Sequence, residues 1–215
     1  MTYHDLQILD ETNHYIVVVK PSGVLSQKDI TGDIDMLTLV KAYLVEKYQK
    51  KGDAFLGLVQ RLDRMTSGIM VFGKTSKGAS RLSEEIRNHT FNKEYLAVVE
   101  GHIDGSGHLV DCLSFDEKKL KSFVDNKNGK LASLYYEVID YIDDDSVLRI
   151  KLETGRHHQI RAQMGKFKHP LVGDSLYGSK TTQNIKLHAY KVCFLDPVTK
   201  EIKEYFNYPK WYERK

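Results

Sequence analysis

Long hydrophobic runs are missing from this chain of 215 residues. The longest, such as residues 15–19 and 69–72, fall far short of the ~20 apolar residues that a membrane-spanning helix needs. The sequence therefore argues against a helix that crosses a bilayer. Its first residues (MTYHDLQILDETNHY) include Asp and Glu where a secretory or transit peptide would be basic or rich in Arg, so we expect no export.

Cysteine and proline are scarce, with two Cys and four Pro in the chain. Cys112 and Cys193 are too few for a disulfide framework and lack the spacing of metal ligands, which favours a reducing compartment and a cytoplasmic location. The content of hydrophobic residues, 41%, is too high for a disordered protein. At a typical ~150 residues per domain, the length fits one compact domain, which we predict to span residues 1–215.

A strong excess of one charge is also absent, since 32 Lys and Arg face 29 Asp and Glu. A net charge of +3 does not by itself require a nucleic-acid partner. Local distribution is more informative: residues 155–169 contain four Lys or Arg, three His and no acid, and residues 118–130 contain five Lys. Such stretches can bind phosphates, but most lysine-rich stretches are only solvated surfaces, so both interpretations stay open.

The hydrophobic pattern predicts several strands and only three helices. Apolar residues recur every three to four positions between Met36 and Tyr48, at Ala79, Leu82 and Ile86, and over residues 157–167, which indicates helices. Strands are predicted over residues 15–19, 55–59, 69–72, 94–100, 133–141, 148–152, 187–195 and 201–208. Because helices and strands do not alternate regularly, we predict an α+β fold with a mixed, largely antiparallel sheet flanked by a few helices.

One polar loop, QRLDRMTSG at residues 60–68, lies between two predicted strands. It places Asp63 between Arg61 and Arg64, and nearby guanidinium groups favour an ionised carboxylate that can act as a nucleophile. The alternative is a turn in which Asp and Ser side chains cap backbone N–H groups. The loop alone does not decide between the two.

Four sequence blocks together resemble the pseudouridine synthases of the RluA type. The blocks are KPSG at residues 20–23, QRLDRMTSG at 60–68, KEYLAVVEG at 93–101, and LETGRHHQIRAQMGKFKHPLVGDSLYG at 152–178. Their order and spacing also match, over about residues 15–208. The related RsuA type has a different third block, so GRHHQIR followed by GDSLYG favours RluA.

The resemblance implies isomerisation of a uridine within ribosomal or transfer RNA, without cofactor or metal. Asp63 would be the catalytic carboxylate. Tyr95 would stack on the target uracil and assist proton transfer, although an aromatic strand residue can equally belong to the core. Arg161 would pair with Asp63 and keep it ionised. Arg61 would fill the stack that the flipped uridine leaves.

Further substrate-binding positions come from the same blocks, and the RNA is expected to be the partner of a monomeric protein. Beside Arg61, these positions are Lys20, Arg64, Thr66, Arg156, His158 and Gln159. Lys20 could position the active-site loops or be a surface lysine before a turn. The blocks begin so near the first residue that we expect no N-terminal module of the S4 type.

The sequence departs from the family pattern at Gln60, where His is common, and at Ala162 and Gln163, where Val-His is frequent. These departures bear on substrate contacts rather than on the nucleophile. Two other functions are alternatives to uridine isomerisation. A non-catalytic RNA-binding protein of the same fold would not need Asp63, Tyr95 and Arg161 together. A hydrolase would need a base or metal partner that no motif supplies, and the adjacent His157 and His158 are poor joint metal ligands.

Overall fold

The computed structural model describes residues 1–212 and contains eleven strands and three α-helices among them. The strands are β1 (Gln7–Glu11), β2 (Tyr15–Lys20), β3 (Gly57–Leu58), β4 (Ser67–Gly73), β5 (Asn92–Val99), β6 (Ser106–Asp116), β7 (Lys121–Val124), β8 (Lys130–Ile142), β9 (Asp145–Leu152), β10 (Leu187–Leu195) and β11 (Ile202–Phe206). The helices are α1 (Met36–Lys47), α2 (Ser76–Arg87) and α3 (Gln159–Lys166), with short 3-10 turns at Tyr3–Asp5 and Ser175–Tyr177. None of the helices within residues 1–212 is long and apolar enough to cross a membrane.

The chain divides into two compact units. Unit 1 comprises residues 1–92 together with the chain from residue 189 onward, and unit 2 comprises residues 93–188. In unit 1, β1, β2, β4 and β10 follow one another across the sheet, β3 pairs with β4, and β11 pairs with β10. The β1–β2, β2–β4, β3–β4 and β10–β11 pairs are antiparallel.

An aromatic and aliphatic cluster holds unit 1 together. Tyr15 and Phe91 both contact Phe194, the first edge-on at 5.2 Å between ring centroids and the second stacked at 5.3 Å. Residues of β2, β4, α2 and β10 complete this cluster, namely Val17, Ile69, Val71, Leu82 and Val192. Helix α2 begins at a threonine N-cap, since the Thr75 hydroxyl accepts a hydrogen bond from the Gly78 amide at 3.0 Å.

Unit 2 is an antiparallel sheet in the order β5, β9, β8, β6, β7. Helix α3 contributes Ala162 to a small core with Leu113, Ala132 and Tyr177. Together the two units confirm the predicted α+β class with a largely antiparallel sheet and few helices.

Several element boundaries differ from the prediction. The strand predicted over residues 55–59 is reduced to Gly57–Leu58, and the third helix begins at Gln159 rather than at residue 157. The reason for the later start is His158, whose left-handed backbone (φ 52°) forms the N-cap. Strands β1, β6 and β7 were not predicted, and β7 lies inside the lysine-rich stretch of residues 118–130.

Candidate active site

In unit 1, the antiparallel register brings the first two sequence blocks together. Lys20, the last residue of β2, lies opposite Gly68 in β4, so KPSG and the end of QRLDRMTSG are neighbours. Gly68 is required there for two reasons. Its φ is +123°, and a Cβ on it would lie 2.4 Å from the backbone N and O of Ala189. The glycine therefore allows β4 and β10 to approach closely where the loop joins the sheet.

Lys20 is fully buried and fixes the loop that carries Asp63. Its Nζ donates hydrogen bonds to the carbonyl oxygens of Val24 at 2.7 Å, Arg64 at 2.9 Å and Pro21 at 3.0 Å. Burial lowers the pKa of Lys20 to about 7, while the negative charge of Asp63 opposes this shift and the Arg64 cation adds to it. Lys20 is thus not a surface lysine, and its three carbonyl partners fit a positioning role better than direct contact with a substrate.

Two serines of the same segment hold the backbone on either side of Asp63. The buried Ser26 hydroxyl donates to the Leu62 carbonyl at 2.7 Å and accepts from the Leu62 amide at 3.0 Å. The Ser22 hydroxyl donates to the Met65 carbonyl at 2.7 Å. These hydrogen bonds therefore fix the loop backbone at the residue before Asp63 and at the second residue after it.

Gly23 and Arg64 complete this connection between segments 20–26 and 61–66. The Gly23 amide donates to the Arg64 carbonyl at 2.8 Å, and the Arg64 Nε donates to the Gly23 carbonyl at 3.1 Å. Gly23 has φ +88°, which is the left-handed region that favours glycine. The Arg64 guanidinium also pairs with Asp33 at 2.8 Å on the surface. Arg64 therefore serves the loop geometry as well as any role in RNA binding.

The remaining loop residues differ in exposure. Asp63 is half-buried, and its carbonyl accepts from the Thr66 amide at 3.0 Å, which closes a turn. Thr66 is itself buried, whereas Arg61 is exposed to solvent. Gln60 is also buried and donates to the Ile69 carbonyl at 3.3 Å. The departure from the family pattern at Gln60 thus falls in the interior of unit 1.

In unit 2, Arg161 projects from α3 into a buried ion pair with Asp174. Its Nε and Nη2 donate to the two carboxylate oxygens at 2.7 and 2.9 Å. The two side chains are only 7% and 1% exposed. Asp174 belongs to the GDSLYG motif, which therefore supplies the carboxylate that binds Arg161. The predicted pairing of Arg161 with Asp63 stays a prediction.

His158 and Tyr177 extend this network. Arg161 Nη1 lies 2.7 Å from His158 Nε2, and His158 Nδ1 lies 3.0 Å from the Tyr177 hydroxyl. Burial, with contributions from the Arg161 and His157 charges, lowers the pKa of His158 to about 2, so the ring is neutral. Because a guanidinium only donates, Nε2 must accept, and Nδ1 carries the proton donated to Tyr177. The Tyr177 hydroxyl in turn donates to the Ser122 carbonyl at 3.1 Å.

Gln159 shapes the turn between β9 and α3. Its Oε1 accepts from the Thr154 hydroxyl at 2.8 Å and from the Arg156 amide at 3.0 Å, and its Nε2 donates to the Ser133 carbonyl at 3.0 Å. Gln159 is buried, and these hydrogen bonds fix the shape of the turn; its contact with RNA stays a prediction. Arg156 is exposed, and its Nε donates to the Leu131 carbonyl at 2.8 Å.

Tyr95 lies on β5 of unit 2, opposite Ile150 of β9, and is 6% exposed. His157 and His158 follow β9 in the same unit, and their rings stack with centroids 3.8 Å apart. Overall, the predicted residues fall into two groups. Lys20, Arg61, Asp63, Arg64 and Thr66 belong to unit 1, and Tyr95, Arg156, His158, Gln159 and Arg161 belong to unit 2.

Sequence reasoning missed the structural roles of Asp174, Tyr177, Ser22 and Ser26. The sequence contains a partial indication for Asp174, because GDSLYG follows the segment that carries Arg161 after a short connection. Ser26 lies outside the quoted blocks and carried no signal, since its partner Leu62 is 36 residues away.

Comparison with known proteins agrees with the motifs. The family model of RNA pseudouridylate synthase matches residues 14–166. Ribosomal large subunit pseudouridine synthase D of Zymomonas mobilis is 34% identical over 212 residues, with 90% of this chain and 66% of that protein aligned. An uncharacterised RNA pseudouridine synthase of Bacillus subtilis, YhcT, is 32% identical over 206 residues, covering 93% of this chain and 67% of that protein.

A solved structure shows the same fold. Human RNA pseudouridylate synthase domain containing 1 aligns with a TM-score of 0.77 at 20% identity, over 97% of this chain and 85% of that one. The chain spans about two thirds of the length of the two curated relatives. The resemblance of the four blocks to the RluA type is confirmed, and the chain belongs to the RNA pseudouridylate synthase family.

Proposed function

We propose that this protein converts uridine to pseudouridine within RNA, and that both units form its single catalytic domain. The observation that carries the proposal is the anchoring of the RLDRMTSG loop. Lys20, Ser22, Gly23 and Ser26 hold the backbone around Asp63 through carbonyl and amide groups. A carboxylate presented on a backbone fixed from both sides meets the need of a catalytic group for a defined position.

The reaction rearranges a nucleotide without adding or removing atoms. The bond between the uracil and C1′ of the ribose breaks, the uracil turns, and a bond forms between C5 and C1′. The proton released from C5 is balanced by one taken up at the former glycosidic nitrogen. Such an isomerisation needs no oxidant or co-substrate. In this proposal Asp63 supplies the carboxylate, Tyr95 stacks on the uracil and moves a proton, and Arg161 keeps Asp63 ionised.

The proposed substrate is RNA, with large-subunit ribosomal RNA as the first candidate because the Zymomonas relative bears that name. A uridine inside a helix must be flipped out before its C1′ is reachable. Arg61 is exposed and planar at its tip, which suits it to occupy the space that the flipped base leaves. We further propose that the protein acts as a monomer in the cytoplasm.

Two experiments test this function. Pseudouridines are mapped by carbodiimide derivatisation in total RNA from cells with and without the protein, and loss of one or more sites is expected. Purified protein and its Asp63→Asn variant are then compared on an unmodified ribosomal RNA transcript. Asp63→Asn removes the charge with little change of shape, so turnover should vanish while folding and RNA binding persist.

A mutant that retains a tenth of the normal rate would refute the role of Asp63. Wild-type protein that binds RNA but makes no pseudouridine, in cells or on the transcript, would instead favour the non-catalytic RNA-binding alternative.

A further inference from the structure

Lys93 is a charged residue of unit 2 that does not take part in the hydrogen-bond network described around Arg161. It begins the KEYLAVVEG block on β5 and is only partly exposed. Its Nζ approaches the turn after β9, where a Cβ built on Gly155 would lie 3.9 Å from it. Gly155 has no side chain that could contact this ammonium group.

Within residues 1–212, the Lys93 ammonium forms no hydrogen bond or ion pair. The two acids nearest to Lys93 and Gly155 in sequence are engaged elsewhere. Glu94 is the next residue on the strand, so its side chain lies on the opposite face, in register with Lys151. Glu153 accepts hydrogen bonds from the Ser133 hydroxyl and lies 3.3 Å from His108 Nε2. Burial alone lowers the pKa of Lys93, so its surroundings disfavour the charge without compensating it.

The face of the strand on which Lys93 lies is also informative. Side chains two residues apart on a strand share a face and are ~7 Å apart along it. Lys93 and Tyr95 therefore point to the same side of β5. The distance between neighbouring phosphates of a nucleic-acid strand is of the same order, so one side of β5 can contact a base at Tyr95 and its backbone at Lys93.

We propose that Lys93 binds a backbone phosphate next to the uridine that Tyr95 contacts. This inference rests on the proposed function, because it takes RNA as the ligand and Tyr95 as its base contact. A phosphodiester supplies the negative charge that the surroundings of Lys93 lack. Lysine suits this task because it acts as a mobile point charge and needs no planar partner.

The test measures RNA affinity as a function of KCl concentration for Lys93→Met, which keeps the length of the side chain and removes its charge. The ligand is an unmodified transcript of large-subunit ribosomal RNA, and every protein carries Asp63→Asn so that binding is measured apart from chemistry. Loss of one phosphate contact should weaken binding and reduce the slope of log Kd against log salt by about one. Lys93→Arg should restore most of the slope.

Lys151→Met is the matched control, because Lys151 is an exposed lysine in register with Glu94 and should leave the slope unchanged. Lys93→Gln is a second neutral variant in case Lys93→Met fails to fold, which thermal melting reports. An unchanged Kd and slope in the neutral variants would overturn the proposal. A normal salt slope together with a slower single-turnover rate, measured in proteins that retain Asp63, would also overturn the proposal, because it would assign Lys93 to proton transfer. If wild-type protein makes no pseudouridine, the proposed function fails, but the salt slope still decides whether Lys93 binds phosphate.

Discussion

The ion pair between Arg161 and Asp174 offers the sharpest test of how unit 2 is stabilised. Asp174→Asn keeps the shape of the side chain and removes its charge, which leaves the buried Arg161 guanidinium without its bidentate carboxylate. Removing one partner of a buried pair costs about 3–5 kcal/mol, mainly because the remaining charge is desolvated without compensation. A protein of this size loses about 2–4 °C of melting temperature for each kcal/mol, so we expect a decrease of roughly 6–20 °C.

A double-mutant cycle separates this effect from lost packing. Arg161→Met and Asp174→Leu are made singly and together, and the free energy of unfolding is measured by urea denaturation. Because an apolar pair of similar volume often replaces a buried ion pair without loss, the double mutant should be more stable than either single mutant. The matched control is Glu137→Ala, which breaks an exposed pair with Arg149 and should change the melting temperature little. Single mutants that melt within 2 °C of the wild type, or a double mutant as unstable as the sum of the singles, would refute the reasoning.

Three further changes test the active-site assignments. Tyr95→Phe should bind RNA normally but lose ~10²–10⁴ in single-turnover rate if the hydroxyl moves a proton; unaltered turnover would restrict Tyr95 to stacking or to the core. Gly68→Ala should prevent folding, measured by circular dichroism, because its Cβ would overlap the backbone of Ala189; a normal melting curve would contradict the close approach of the strands. Lys20→Met should remove a pH dependence of stability. The pKa of Lys20 is about 7 in the folded protein and higher in the unfolded chain, so the unfolded chain binds more protons between these two values. The free energy of unfolding of the wild type relative to the mutant should therefore rise from pH 7 toward pH 10. Parallel curves of the two proteins over this range would count against the lowered pKa.

The strands that bury apolar residues could be predicted from the sequence, and those with polar or lysine-rich segments could not. The strand at Leu187–Leu195 has the predicted bounds, because a mostly apolar segment ends at the Asp196–Pro197 turn. Strand β6 was missed because most of its side chains are only half-buried or exposed, and strand β7 begins with a lysine. Strands β6 and β7 pair through backbone hydrogen bonds, and their side chains show no regular hydrophobic alternation from which strands could be predicted.

The loop at residues 60–68 was predicted correctly to lie between two strands, but the contacts that fix it were not predicted. The contacts of Ser26 with Leu62 and of Lys20 with Arg64 span 36 and 44 residues, and local spacing does not encode such pairs. The same holds for Arg161 and Asp174, whose association depends on how the chain returns after α3. In each case the sequence shows a polar residue, and only the fold shows whether its side chain faces solvent or the interior.

This distinction changes how the motif is understood. A buried cation is costly unless its charge is compensated, and carbonyl oxygens stabilise Lys20 while Asp174 stabilises Arg161. These partners belong to loop segments. Hence much of the sequence pattern serves to fix backbone positions before RNA arrives, which lowers the ordering cost of binding. Arg61 and Lys93 are different, because we propose that each contacts the RNA directly. Substitution of Arg61 should therefore change RNA binding without changing the melting temperature. Lys93→Met removes an uncompensated buried charge, so it should weaken RNA binding without lowering the melting temperature. Substitutions at Lys20 and Arg161 should change both.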